Sequence, residues 1–228
     1  MKKVLIIAAA ALFIGSTASA QDVMKQTGGE QNLEVMFAPL GGSPISIGGI
    51  KYRKFTSATT AIRGTVFLGF NSTKTVDNSQ GAIFDENEMI NPMTTNSSFD
   101  IMISPGIEQH FLGTDRLSPY IGGELNLGFG NSSTKMQAPN EEGTDFEDAG
   151  KTTTGSLSAG ATAFAGVDFY FADNIYLGAE MGFGALFTKE FDRKNKPEEG
   201  DETSAGPQGS VFNVGPSYVA KLRLGWLF

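Results

Sequence analysis

The chain of 228 residues contains no cysteine and one histidine, His110. The first absence excludes a disulfide framework, a thiol nucleophile and any Cys-ligated zinc or iron–sulfur site. The second excludes a multi-histidine metal centre within one chain. No apolar run reaches the roughly 18 residues that a transmembrane helix requires. Positive charge is scarce too: 17 Lys and Arg stand against 25 Asp and Glu, a net −8. That balance argues against a nucleic-acid binder, whose surface normally carries a basic patch. Only 18% of residues are charged and the mean hydropathy is −0.12, which on average reads as soluble. What the chain has in abundance is glycine, 29 residues, and aromatics, 18 Phe, 5 Tyr and 1 Trp.

The first twenty residues read as an export signal. Lys2 and Lys3 form a positive n-region, Val4 to Gly15 an apolar stretch, and Ala18-Ser19-Ala20 a small-residue cleavage site before Gln21. The expected mature chain is therefore 208 residues with a net charge of −10. It divides into a short N-terminal lead-in, 21–30, and a body, 31–228.

Period-two alternation runs through that body and predicts strands, because successive side chains of a strand point to opposite faces. In 212–228 all nine even positions, from Phe212 to Phe228, are apolar, and the odd ones include Asn213, Lys221, Arg223 and Gly225. Segments 175–187 and 157–171 repeat the pattern, with Ile175, Leu177 and Met181 or Leu157, Ala163 and Val167 opposing glycines, Glu180 and Asp168. Segments 119–129, 99–111, 62–70, 33–37 and 45–55 complete eight predicted strands. In the last, the apolar phase slips across Gly48-Gly49, as a β-bulge would make it do.

The connections after the first alternate short and long. Links 71–96, 131–152 and 188–210 span 26, 22 and 23 residues and fall at one end, with short turns at the other. Outer-membrane barrels have this form. Aromatic placement favours the same reading over a soluble barrel. Phe37, Phe70, Phe99, Phe129, Phe187 and Phe212 lie at the long-loop ends of their strands, and Phe111, Phe169, Phe171, Trp226 and Phe228 at the turn ends. Two aromatic levels flanking an aliphatic band are the interface girdles of a membrane barrel. The fold expected is all-β: an eight-stranded antiparallel transmembrane up-and-down β-barrel.

With its export signal, eight strands and the terminal run Lys221-Leu222-Arg223-Leu224-Gly225-Trp226-Leu227-Phe228, the sequence resembles the small outer-membrane β-barrel proteins of diderm bacteria. That family includes the transmembrane domain of outer membrane protein A. The resemblance implies an integral outer-membrane location, lipid contacts, and a C-terminal Phe228 read by the barrel-assembly machinery. Gln21 directly after the cleavage point resembles Bacteroidota usage. The 208 mature residues are expected to form one barrel, with no separate periplasmic domain.

An eight-stranded barrel leaves an interior just wide enough for side chains to fill. The inward face is expected to carry Glu34, Asp100, Glu108, Glu124, Asp168 and Glu180 against Lys51, Arg53, Arg63, Lys221 and Arg223. Hairpin register brings Arg63 toward Glu108 and Lys221 toward Glu180, and buried charges need such partners. An ion-paired, plugged lumen is the leading expectation, and a narrow porin-like path for ions or small solutes the alternative. His110 is expected beside Glu108 in a structural role, since no nucleophile accompanies it. No enzyme activity, cofactor or metal site is expected. The long loops hold −8 of the mature −10, consistent with a solvated surface or an extracellular or envelope-complex partner. No EF-hand spacing points to calcium.

Overall fold

The computed structural model describes residues 25–37, 47–77, 82–85, 88–139, 146–197 and 200–228. The export signal, 1–20, lies outside the described residues. Ten strands follow in order: β1 (Gln31–Phe37), β2 (Ile47–Phe55), β3 (Thr60–Val76), β4 (Ala82–Asp85), β5 (Glu88–Ile90), β6 (Met93–His110), β7 (Leu117–Pro139), β8 (Phe146–Ala172), β9 (Ile175–Lys196) and β10 (Thr203–Leu227). Eight of them close a barrel in the order β1-β10-β9-β8-β7-β6-β3-β2, every neighbouring pair antiparallel. β4 and β5 form a separate two-stranded hairpin, which sequence periodicity did not reveal because each is only three or four residues long.

Closure is made by the chain's two ends. β1 pairs with β10 from Asn32↔Leu227 to Phe37↔Leu222. Gln31 and Phe228 exchange backbone hydrogen bonds at 2.9 and 2.8 Å. Closing the sheet removes the edge that an open antiparallel sheet would offer to other chains. The turn end is compact for local reasons. Asn174 takes a positive φ of 62° between β8 and β9, a conformation its short amide tolerates. Ser57 Oγ accepts from the Thr60 amide at 3.1 Å between β2 and β3. The β1–β2 register slips between Met36 and Phe37, opposite Gly48-Gly49. A side chain at Gly49 would approach the Val66 carbonyl to 2.7 Å, so only glycine fits the bulge.

The three long loops of the sequence reading need correction. Most of 71–96, 131–152 and 188–210 is strand: β3 runs to Val76, β6 begins at Met93, β7 reaches Pro139, β8 begins at Phe146, β9 reaches Lys196 and β10 begins at Thr203. Strands β7 to β10 are 22 to 27 residues long, about twice the 9–11 that a tilted crossing needs. The extensions are built from Thr, Ser and Asn, which gave no apolar alternation to read. Cross-strand side-chain bonds hold them instead: Ser72–Ser97 at 3.1 Å, Thr134 to Asn96 at 2.8 Å, and Thr152 to Asn195 at 3.1 Å. The barrel is thus a wall that continues well past its apolar band on the long-loop side.

The interior inverts the usual order. Arg53, Arg223, Glu34, Glu108 and Asp168 are fully buried, while Leu68, Phe70, Met181 and Phe212 are each at least 65% exposed. Soluble domains do the reverse.

Candidate functional site

The alternation that puts aliphatics outside sends Asn32 and Glu34 of β1, Lys51 and Arg53 of β2 and Arg63 of β3 into the lumen. They meet Glu108 of β6, Tyr120 and Glu124 of β7, Asp168 of β8, Tyr176 and Glu180 of β9 and Arg223 of β10. Arg53 is the hub. Its guanidinium lies 2.6 Å from Glu34, 2.8 Å from Glu108 and 2.7 Å from Asp168. Its charge also faces the Tyr176 ring, 5.1 Å from the centroid. Arg223 grips the far oxygens of two of those acids, Glu34 at 2.9 Å and Asp168 at 2.8 Å. Glu34 and Asp168 therefore each bridge two arginines.

A second knot lies beside the first. Arg63 reaches Glu108 at 2.8 Å, Glu180 at 2.7 Å and Glu124 at 2.5 Å. Its guanidinium carbon lies over the Phe164 ring, 3.4 Å from the centroid. Lys51 reaches Glu180 at 3.0 Å, and the Tyr120 hydroxyl donates to the same carboxylate at 2.8 Å. Among the described residues, five lumen carboxylates thus face four lumen cations. Lys221 stands opposite Glu180 in the backbone register, but its side chain lies outside the described residues. Asp100 sits apart, exposed on the wall beyond the network.

Glycine makes room for these large groups. Gly225 faces Tyr176, Gly166 faces Tyr120, and Gly178 faces Arg223 across their strand pairs. A methyl at any of the three would overlap the facing side chain. The inward glycines are thus packing partners of aromatic rings and guanidinium groups.

The turn end is sealed by a strap that the sequence reading took for a mere lead-in. Lys25 Nζ donates to the carbonyls of Thr114 and Leu117 at 2.8 and 3.1 Å. Gln26 is buried, donating to Ser118 and accepting from the Tyr170 hydroxyl at 2.9 Å. His110 completes this layer, 2.8 Å from Ser118 and 3.2 Å from Glu108, with its ring between Phe55 and Tyr120. Both ring nitrogens have a partner, and the Ser118 hydroxyl that His110 meets is itself fully buried and also bonded by Gln26.

Sequence reasoning missed Arg53 as the hub, the tyrosine hydroxyls as partners, and the strap. Phase alone could have flagged the tyrosines, since Tyr120, Tyr170 and Tyr176 share the inward phase of Glu124, Asp168 and Glu180. The strap leaves no such signal, because 25–30 has no alternation.

On the outside, Phe70, Phe99, Phe129, Phe187 and Phe212 are exposed at one level. Phe111, Phe169, Trp226 and Phe228 are exposed at the turn end, Trp226 and Phe228 with rings 6.1 Å apart. Phe171 is half-buried, and the Phe37 side chain lies outside the described residues. Between these levels the outer face is aliphatic, with Ile62, Val66, Leu68, Ile103, Ile107, Leu125 and Leu127 exposed.

A closed antiparallel barrel with polar contents, an apolar belt and aromatic rims defines a protein of the outer-membrane β-barrel class. The chain belongs to the OmpA-OmpF-like porin family, whose match spans residues 46–203. Among solved structures it is similar to Ail, the attachment invasion locus protein of Yersinia pestis. That likeness has 14% identity and a TM-score of 0.39, over 89% of this chain and 100% of that one. No curated protein matches the sequence.

Proposed function

We propose that this outer-membrane barrel has a structural or surface-interaction role, is not an enzyme, and has a lumen closed by its own side chains. The observation that carries the reading is the dense ion pairing around Arg53, whose guanidinium meets Glu34, Glu108 and Asp168. Four of its charges (Glu34, Arg53, Asp168 and Arg223) come from four different strands and are wholly buried. A water-filled pore would leave such groups hydrated, whereas these pair with one another, Arg223 Nε alone among their polar atoms being buried without a partner. The tall wall beyond the apolar band presents polar strands outward, a surface suited to an extracellular or envelope partner.

The test is conductance. Purified mature protein in planar bilayers is expected to give no stable channel steps and, in liposomes, no swelling with small sugars. Discrete steps in the unmodified protein, abolished by Arg223→Ala, would instead establish the narrow porin-like path between acidic and basic walls. Export through residues 1–20 belongs to the same proposal, and N-terminal sequencing of membrane-extracted protein is expected to begin at Gln21. Assembly through the terminal aromatic predicts that Phe228→Ala lowers the folded yield in cells more than it lowers the stability of refolded protein.

A further inference from the structure

On the long-loop side of the ion-paired layer the bore is built differently. An eight-stranded barrel is filled when its inward positions carry ordinary side chains. Here several of them carry glycine, and no neighbour takes up the space. A methyl added at Gly209 or Gly215 would meet nothing within 4 Å, whereas one at Gly166, Gly178 or Gly225 in the ion-paired layer overlaps a facing side chain. Val211 has the inward phase, paired with Thr188, and is still 48% exposed. Asp100, Ser132 and Asn213 share that phase and are exposed too. The extended wall therefore encloses an open cup whose base is the ion-paired layer.

Two carboxylates stand in this cup on one cross-strand row, which runs Gly69, Asp100, Gly130, Ser156, Glu190, Gly209 from β3 to β10. Their small neighbours leave both acids uncovered, and neither has an ionic or hydrogen-bonding partner among the described residues. Three strand spacings of about 4.8 Å separate them, about 14 Å along the wall. A divalent cation bonds its oxygens at about 2.5 Å and cannot span that gap. Between the acids, toward the base, the lining is apolar. Met102 is the next inward residue after Asp100, and its methyl group reaches over Gly128 of β7. From the other side, Leu186 of β9 reaches over Gly160 of β8. At the base, Thr65 Oγ1 on the inward phase of β3 is buried without a hydrogen-bond partner, an acceptor for a donor that enters the cup.

We propose that this cup binds a linear alkyl polyamine, with its terminal ammonium groups on Asp100 and Glu190 and its methylene chain along Met102 and Leu186. The separation of the acids selects a ligand whose charges are apart. The apolar strip between them selects methylenes over a polar linker, which would lose its water there without gaining a partner. The bore of eight strands has room for a slender chain and not for a second folded backbone. In barrels of this class the long-loop end is extracellular, so the ligand enters from outside the cell. The cup lies beyond the ion-paired layer and its occupancy is read without conductance. Failure here therefore leaves the closed-lumen reading standing, and channel steps would leave the two carboxylates where they are.

The test is calorimetric titration of the mature chain, folded in detergent, with spermidine. Saturable one-to-one binding is expected. Asp100→Asn and Glu190→Gln are each expected to weaken it about tenfold, the loss of one charged hydrogen-bonding partner. Val211→Trp, which fills the cup and leaves both carboxylates in place, is expected to weaken it as well. Glu147→Gln, at an exposed acid near the start of β8, is expected to change nothing. Butylamine, with a single ammonium group, is expected to bind about tenfold more weakly than spermidine. The mobility of unheated samples on gels verifies that each variant is folded. Absence of saturable binding, or undiminished binding by the Asp100→Asn/Glu190→Gln double variant, overturns the proposal. Butylamine or magnesium binding as tightly as spermidine would reduce the site to unspecific attraction by acids and overturn it too. Trilysine binding as tightly as spermidine would assign the cup to a basic peptide and overturn the choice of a polyamine.

Discussion

Arg53 shows what a single residue does in this lumen. Its guanidinium neutralises carboxylates from β1, β6 and β8 at once. Burying charge is costly, and a buried ion pair is weak support for stability when compared with well-packed apolar residues. Removing one partner is a different matter, because the remaining charges stay buried and unpaired. Arg53→Ala is therefore expected to cost about 3–5 kcal/mol in urea titrations of vesicle-refolded protein. Lys189→Ala, on the exposed wall, is expected to stay within about 0.5 kcal/mol. Gly225→Ala tests the packing side of the same network. Its added methyl meets the Tyr176 ring, and the expected cost is about 1–3 kcal/mol. The two residues touch, so Gly225→Ala and Tyr176→Ala together are expected to cost less than the sum of the single changes.

At the scale of the element, the extended strands separate what makes a strand from what makes a membrane strand. Periodicity located the apolar halves of β3 and β6 to β10, and it placed the Gly48-Gly49 bulge. It read the polar halves as loops because Thr, Ser, Lys and Asn alternate with one another and not with aliphatics. They are strands because their neighbours are strands, in unbroken register from the apolar band upward for β3–β6 and, below Met136, for β7–β8. Thr134→Pro would remove a ladder donor from that stretch. Faster hydrogen exchange at its cross-strand neighbours Asn96 and Thr152 is expected, with exchange at Ile121 unchanged. The tip of β7–β8 also carries a pH signature. The Lys135 ammonium donates a hydrogen bond to Asp148 and holds that carboxyl below the usual aspartate range. A depressed acid contributes its pairing above the ordinary carboxylate pKa and loses it as pH falls through the depressed value. Exchange at Ala138 and Glu147 is thus expected to be flat through neutral pH and to rise only below about pH 4.

For the whole molecule, the order of layers decides how the barrel is closed. The strap at 25–30 covers the turn end, and the ion-paired layer lies behind it. Deleting 21–29 is expected to lower stability, since the bonds of Gln26 to Ser118 and Tyr170 are lost. On the closed-lumen proposal it is expected to open no conductance, because Arg53, Arg223 and their acids stay in place. Channel steps from that deletion would show that the strap, and not the network, is the seal.

By itself the sequence determined the sorting of faces, the number of barrel strands, and which end carries the short turns. Each of these is local, read from alternation within one strand or from the spacing of adjacent ones. Of the charges that alternation assigned to the inward face, Glu34, Lys51, Arg53, Arg63, Glu108, Asp168 and Arg223 are buried, whereas Asp100 is exposed. Tertiary structure alone decided which charges meet. Arg53 and Asp168 are 115 residues apart, and whether they touch depends on the tilt and stagger of eight strands around a closed ring. A one-residue slip between any two strands would leave the alternation legible in sequence, yet would give every acid in the lumen a different partner.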